Sequence, residues 1–582
     1  MPTQVRLMDQ FFIKVDGSDL PTAVMDDMIE LSVDTSLTLP DALSIHLHDE
    51  KLTWLDDGPF VLGKEVEVAA QLKGKGPSSV IFRGEITALE PEFAEDTHAT
   101  LLVRAYDRSH RLHRGTRSQA YLEVTDSDLA GRVANDAGLR AQVDDTSEVH
   151  PYVLQHNQTA MEFLGERARR IGYEFFVEDR TLYFRKPAQG AAALQLEWGV
   201  ELRSFRPRLS LVEQVDEVFV GGWDPKARQA ITGHATRGRA TPQIGERQSG
   251  QELAAAAFAG ARRVVADIGV ASQAEADTMA QAILDEISGA FIEAEGECWG
   301  RPELHAGKAV ELKALGRRLS GTYFVTEASH IFSKDGGYYT RFSIHGRRPD
   351  TLAALLAPPQ REGQGMAGPV VGIVTNICDP AGWGRVKVTF PWLLDKVESA
   401  WARIAAPGAG PERGLYWLPE LNDEVLVLFE QGDVTRPYII GGLWNGQDKP
   451  PLSNGQALDQ DKQVHRRVLK TRAGHTITLT DGQDAAVIVE TAGGHRLTLA
   501  DEKKQVRLET AGGLTLTMDD SRREVTLESG GNLKVKSGAN LTIEATAALE
   551  LKGATFSLQG SGKGEVNGGG MLDVKGGIVR IN

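Results

Sequence analysis

Short runs of alternating hydrophobic and polar residues dominate the first part of the chain. Phe11–Val15, Val66–Val68, Val80–Phe82 and Thr100–Val103 are β-branched or aromatic and end at Gly, Pro or Asp, so Gln10 to about Leu122 reads mainly as strands. The period then becomes helical at three points, each opened by Ser or Thr with an acid three residues on: Thr125 with Asp128, Thr159 with Glu162, and Ser272 with Glu275. The second helix is predicted over about Ala160–Ile171, stopped by Gly172 and followed by a strand at Tyr173–Val177. The third is predicted to run to about Ser288 and Gly289. Strands return at Tyr323–Val325 and Tyr338–Ile344. This pattern predicts an α+β assembly of two units, 1–122 and 123–350.

A Pro/Gly-rich stretch at 351–368 reads as a linker, followed by a compact strand-rich unit at 369–445. Within it Val386, Val388 and Phe390 alternate, while Val425–Phe429 is continuously apolar, as a strand buried on both faces would be. A second linker occupies 446–465. From 466 to 582 the chain repeats itself. Thr471, Thr491, Thr510 and Ser529 open Gly-containing turns at spacings of 20, 19 and 19, each followed by alternating strands. The period then shortens to eight. Leu533 and Val535, Leu541 and Ile543, and Leu549 and Leu551 are apolar pairs one octad apart; after one slip of seven the octad resumes through Leu558, Val566 and Val574. Gly553, Gly560, Gly568 and Gly576 follow at corners where a turn of positive φ is expected. Two inward apolar residues per octad are too few to make a core within one chain. The pattern therefore predicts several identical chains winding together, each supplying one wall of a shared β-prism with no open lateral edge.

Composition sharpens this picture. Glycine contributes 62 of 582 residues, and 12 of these lie in the 53 positions from Gly530 to Asn582, without the every-third spacing of collagen. The longest apolar stretch, Leu253–Ala261, is far below the ~20 residues of a membrane helix. Met1–Val15 holds no signal-peptide core. Two cysteines, Cys298 and Cys378, exclude a disulfide framework or cysteine-built zinc site, and a net charge of −16 argues against nucleic-acid binding. The expectation is an acidic, multi-domain protein made in the cytoplasm without a signal peptide.

Residues 370–445 carry a series of ordered matches. Gly372–Thr375, Asp379–Pro380, Gly384–Val388, Phe390–Trp392, Ser399–Arg403, Pro419–Glu420, Asp423–Val427, Phe429–Asp433 and Gly441–Asn445 resemble the OB-fold of VgrG and phage baseplate spike proteins. Gln155–Lys186 and Ser272–Arg347, with Gly296–Gly300 and Gly336–Tyr338, resemble the hub domains of late-control D and VgrG proteins; the octad tail resembles the triple-stranded β-helix of the same spikes. The resemblance implies a mainly β chain with an α+β hub: two barrel-like hub domains, an OB-fold collar and a trimeric intertwined β-helix needle. It implies a homotrimer that links a baseplate and inner tube to the needle and pierces a target envelope on firing, when alone it meets the target membrane. Implied partners are other copies of the chain, inner-tube and baseplate proteins, effector cargo, and a PAAR-like tip protein on Gly576, Gly577, Ile578, Val579, Arg580, Ile581 and Asn582. Phe390–Trp392 and Pro419–Val425 depart from the pattern of type VI VgrGs and tilt the reading toward an extracellular or phage-like contractile system, with type VI VgrG or phage tail spike as the alternative. Asn422 stands where the family has glycine; asparagine also tolerates a left-handed turn. The chain stops directly after the last octad, so no fused effector domain is expected, nor a lysozyme between collar and needle.

Other motifs are weaker. Gly58–Glu65 nearly matches a phosphate loop, but Glu65 cannot replace the hydroxyl on Mg²⁺ and a strand follows; a turn is the better reading. His46 and His48 share a strand face without a third ligand. His475 and His495 recur at equivalent repeat positions, so a trimer allows rings of histidine there, with ion binding the weaker reading. Glu293, Glu295 and Glu297 alternate on a strand and read as a solvated face. With neither G-x-S-x-G nor HExxH, no catalytic residue, metal site or cofactor is expected. The competing classes are a carbohydrate-binding fibre, which would need aromatic clusters where the tail offers only Phe556, and a spike with concealed hydrolase activity.

Overall fold

The computed structural model describes residues 10–72, 78–95, 98–187, 194–239, 243–266, 268–345, 368–393 and 397–581. The first linker expected at 351–368 lies outside them except for Gly368. The chain forms two compact units, 1–445 and 446–582.

The first unit is organised around an antiparallel sheet of eleven strands. Its centre follows directly from alternation. Met28–Ser36, Ala42–His48 and Ala99–Tyr106 turn Leu31, Val33, Leu43, Ile45, Leu47, Leu101, Val103 and Ala105 to one side, where they are buried. Each large side chain so buried contributes about 1.5–3 kcal/mol relative to exposure. The sheet crosses the boundary read at 122/123: Glu327–Ser333 pairs with Met28–Ser36, Ala328 opposite Thr35, and the Thr35 hydroxyl donates to the Ala328 carbonyl. Ile292–Trp299, Gly337–Ile344 and Leu202–Leu209 extend the sheet on that side, and a second core gathers under them around Leu304, Val310, Tyr323 and Phe342.

Two helical modules flank this sheet. In the first, Asp126–Asp136 and Ala160–Ile171 cover the small sheet of Arg140–Val143, Glu174–Glu178 and Thr181–Arg185. Both helices start on reciprocal boxes, Thr125 with Asp128 and Thr159 with Glu162, and Gly172 ends the second at φ 70°. In the second module, Gln273–Gly289 lies on Glu217–Asp224 and Gln229–Ala235. That approach requires Gly233, where a Cβ would sit 2.1 Å from the Ala276 carbonyl oxygen. Short helices at Thr22–Asp27, Thr53–Asp56, Gly316–Leu319 and Asn454–Ala457 carry no apolar period, and a longer one, Gly250–Ala257 in the alanine-rich stretch, starts on Ser249 and Glu252. The same S-x-x-E signal marks it.

Residues 370–442 form a five-stranded sheet in the order Lys387–Thr389, Val370–Asn376, Glu424–Phe429, Pro437–Gly442, Arg403–Ile404. Val374, Val386, Val388, Phe390, Val425, Val427 and Phe429 fill its core. Val425–Phe429 is not buried on both faces as its composition suggested. Leu428 is 40% exposed and Leu426 only partly covered, because this sheet curls round one interior and leaves its outside open. Asn422 adopts φ 70°, as expected for that turn. Asp379 accepts from Arg385 through both carboxylate oxygens (2.7 and 3.0 Å) and from the Ala381 and Trp383 amides. The guanidinium, with those amides, holds its carboxyl well below the usual range. The small barrel is fastened to the flanking modules by Arg436, which donates to the Val270 and Trp223 carbonyls, and by Tyr152, which donates to the Glu398 carbonyl.

The second unit begins with seven five-residue strands between Arg466 and Glu528 that pair in strict sequence order as an antiparallel meander. Beyond Glu528 no further strand forms among the described residues.

Candidate assembly surfaces

The meander sorts its side chains by face. Cross-strand register aligns Leu469, Ile477, Val489, Leu497, Leu508, Leu516 and Leu527 in one column, and Arg467, Leu479, Val487, Leu499, Val506, Met518 and Val525 in the next. Thirteen of these fourteen positions are aliphatic. Eleven of the thirteen are 38–67% exposed. The opposite face carries Thr478, Thr498, Thr517 and Thr526 with charged neighbours such as Glu490, Arg496 and Glu509. A sheet with one apolar face must cover it, and among the described residues this face stays largely exposed.

The turns explain the repeated histidines. Thr471, Thr491 and Thr510 each accept from the backbone N–H four residues on, with Gly474, Gly494 and Gly513 at φ 82–95°. His475 Nδ1 accepts from the Ala492 N–H at 3.1 Å, and His495 Nδ1 from the Ala511 N–H at 3.4 Å. Each imidazole thus ties its turn to the next one in the stack.

From Gly530 to Ile581 the chain is extended, with bends at 530–531, 538–539, 546–547, 554–555, 561–562, 569–570 and 577–578. The spacing is eight residues with one seven, as in the sequence. The nine octad positions Leu533, Val535, Leu541, Ile543, Leu549, Leu551, Leu558, Val566 and Val574 are 56–75% exposed in the single chain. The glycine expectation needs correction. Gly553, Gly560, Gly568 and Gly576 do not adopt positive φ; in this tail only Gly569 does. Gly553, Gly560 and Gly568 serve close approach instead: a Cβ at Gly568 would lie 2.6 Å from the Met571 carbonyl oxygen, at Gly560 3.1 Å from that of Lys563 and at Gly553 3.2 Å from that of Thr555. At the far end Ile578, Val579 and Ile581 are exposed, as are Gly576, Gly577 and Arg580. Asn582 lies outside the described residues.

In the small barrel Trp383, Trp392, Tyr416, Trp417 and Trp444 are exposed, with Leu421, Leu428 and Ile440. The near-phosphate loop is a turn: Gly63 has φ 83°, Lys64 pairs with Asp16, and Glu65 enters the strand Glu65–Gln71 and pairs with Arg180. Glu293 and Glu297 form ion pairs with Arg208, Arg203 and Arg341 along their strand face. His46 and His48 point to the same side, and no cluster of three metal-ligating side chains occurs among the described residues. No helix among them is long and apolar enough to cross a membrane.

Two polar features were not anticipated. A cleft of about 1310 Å³ between the helical modules is lined by Asp126, His150 and Arg167, which bond to one another, and by Arg170 with Glu275. His330 is fully buried beside His305, its Nδ1 within 2.8 Å of the Tyr338 hydroxyl. Burial, and then the neighbouring imidazole, push it well below the usual histidine range. Neither has a sequence signal, since both depend on strands distant in the chain.

A two-module sheet assembly, a small OB barrel and a repeating tail together resemble the architecture of VgrG-type baseplate spikes. The chain belongs to the family described as the Alg8 N-terminal domain, which matches residues 7–334. Residues 370–444 match the OB domain of type VI secretion system and phage-baseplate injectors. Curated relatives include the type VI secretion system spike protein VgrG2a of Pseudomonas aeruginosa, 33% identical over 91 residues (14% of this chain, 11% of the relative). Another is the actin cross-linking toxin VgrG1 of Vibrio cholerae, 29% identical over 170 residues (26% of this chain, 15% of the relative). The matched part is therefore a small fraction of those proteins. Among solved structures, a chain of the Francisella PdpA–VgrG complex superposes with TM-score 0.52 at 8% identity, covering 90% of this chain and 89% of that one.

Proposed function

We propose that the protein works as the homotrimeric central spike of a contractile injection machine, its hub seated on the inner tube and baseplate and its tail serving as the needle. The observation that carries this is the tail from Gly530 to Ile581: extended, bent every eight residues, without strand pairing of its own, and with its apolar positions exposed. Such a segment cannot hold a defined shape alone, because each octad leaves backbone groups unpaired and apolar area in water. Two further copies winding round the same axis would supply both the missing ladders and the cover for the aliphatic face at 466–528.

On this reading Leu533, Val535, Leu541, Ile543, Leu549, Leu551, Leu558, Val566 and Val574 form the shared interior. Gly576–Ile581 then offers an apolar, backbone-rich end to a PAAR-like tip protein. The work is mechanical and needs no catalytic residue. Synthesis in a bacterial cytoplasm, assembly into a phage tail-like particle and contact with a target membrane only on firing follow from the same reading. The departures at Phe390–Trp392 and Pro419–Val425 favour an extracellular machine over a type VI apparatus. The fibre alternative would place sugar-binding aromatics in the tail, where Phe556 stands alone.

Light scattering on the purified full-length chain tests this. A trimer near 190 kDa, from a chain of 63.2 kDa, is expected, reverting to smaller species when residues after Val464 are removed. A full-length monomer would overturn the shared-needle reading.

A further inference from the structure

The meander is built on a repeat, and one position breaks it. The second residue of alternate strands is Val487, Val506 and Val525, but in the edge strand Arg466–Lys470 it is Arg467. Register places Arg467 opposite Leu479, in the same column as those valines, so one guanidinium stands on an otherwise aliphatic face. Its Nη1 donates to Asp481 Oδ2 at 2.5 Å. Asp481 itself is part of the repeat. Asp501 and Asp520 hold the same place after their strands, and each of the three donates its backbone N–H to the chain just before the preceding strand or to its lead-in turn, at His465, Ala485 and Lys504. Only the first of the three aspartates has an arginine in the neighbouring column.

A face that recurs every 19 or 20 residues is nearly degenerate. Shifting one chain by a whole repeat again sets aliphatic residues against aliphatic residues, so apolar burial does not distinguish the two alignments. We propose that the Arg467–Asp481 pair is the register key of the assembled tail, an inference that rests on the trimer reading above. In aligned chains three such pairs share one layer at the edge strand, polar groups meeting polar groups at the hydrated end of the apolar interior. In a chain slipped by one repeat the pair is pressed among the valines and leucines of its neighbours. It then loses water without gaining a polar partner, and a charge so placed strongly disfavours the arrangement. A single polar layer selects alignment in this way in other supercoiled assemblies, at some cost in stability.

The test uses full-length protein with Cys378→Ser and Val535→Cys as background, because position 535 of one copy meets position 535 of the next only in aligned chains. After refolding from denaturant, oxidation should yield disulfide-linked dimer. Arg467→Val, which installs the residue of the other repeats, should lower that yield roughly threefold or more while leaving the melting temperature equal or higher. Arg467→Lys and the exchange Arg467→Asp with Asp481→Arg should keep the yield of the background protein. Equal yields from Arg467→Val and the background overturn the register key. So does loss of yield in the charge-retaining variants. A monomer before oxidation would overturn the trimer reading instead, and light scattering separates the two.

Discussion

The two units of this chain solve the same problem in opposite ways. In residues 1–445 alternating strands find partners within the chain, and Leu31, Val33, Leu43, Ile45 and Leu101 are essentially inaccessible to water. In residues 446–582 equally regular alternation leaves Ile477, Leu479, Val535 and Ile543 largely exposed. The hydrophobic pattern alone therefore does not say where burial occurs. What differs is connectivity: the first unit returns strands from nearly three hundred residues away to close its sheet, whereas the tail pairs strands only with their immediate neighbours in sequence and forms none beyond Glu528 among the described residues.

The sharpest way to break this comparison is to charge the tail. Leu541→Asp with Ile543→Asp should abolish the proposed trimer, read as loss of a 190 kDa species, yet leave the melting transition of the first unit in place. An unchanged assembly would mean that these side chains do not face a shared interior. Leu101→Ala should cost about 2–5 kcal/mol by creating a cavity in the first unit. Its unfolding midpoint should not vary with protein concentration, whereas that of the tail should.

Acidity discriminates the units next. The folded state holds His330 neutral, with its pKa below the unfolded value of about 6.5, so its contribution is fully present above that pH and is lost progressively as pH falls below it. Urea unfolding of the first unit should therefore weaken between pH 7 and pH 5 more in the wild type than in His330→Phe. Identical slopes would count against a buried neutral imidazole. The smallest effect is expected at Asn422. Asn422→Gly should be near neutral and Asn422→Ala should lower stability by about 1 kcal/mol, because only the latter strains a left-handed backbone. A differential scan of the two variants checks it.

What could be read in advance was whatever depends on neighbours in the chain. Capping boxes at Thr125 and Thr159, the N-cap at Ser272, the stop at Gly172 and the octad bends all fall where spacing places them. The helix opened by Ser249 carries the same signal but little apolar period, because alanine contrasts weakly with its neighbours. At the corners Gly553, Gly560 and Gly568 the need is for space beside a carbonyl two or three residues ahead, not for a left-handed φ, and spacing does not reveal it. The ties from His475 and His495 to the next turn required knowing that turns one repeat apart stack.

By itself, then, the sequence determined the periods, the helix starts, the OB strands and the fact that the tail has too few apolar residues per octad to enclose a core. These are properties of a few consecutive residues, governed by local sterics and by which side of a strand a side chain takes. The tertiary structure decided which strands pair across the first unit, that Leu428 looks outward while Val427 is buried, and that His330 is sealed beside His305. Sheet partners are selected by the free energy of whole interfaces among distant segments, which no local window contains.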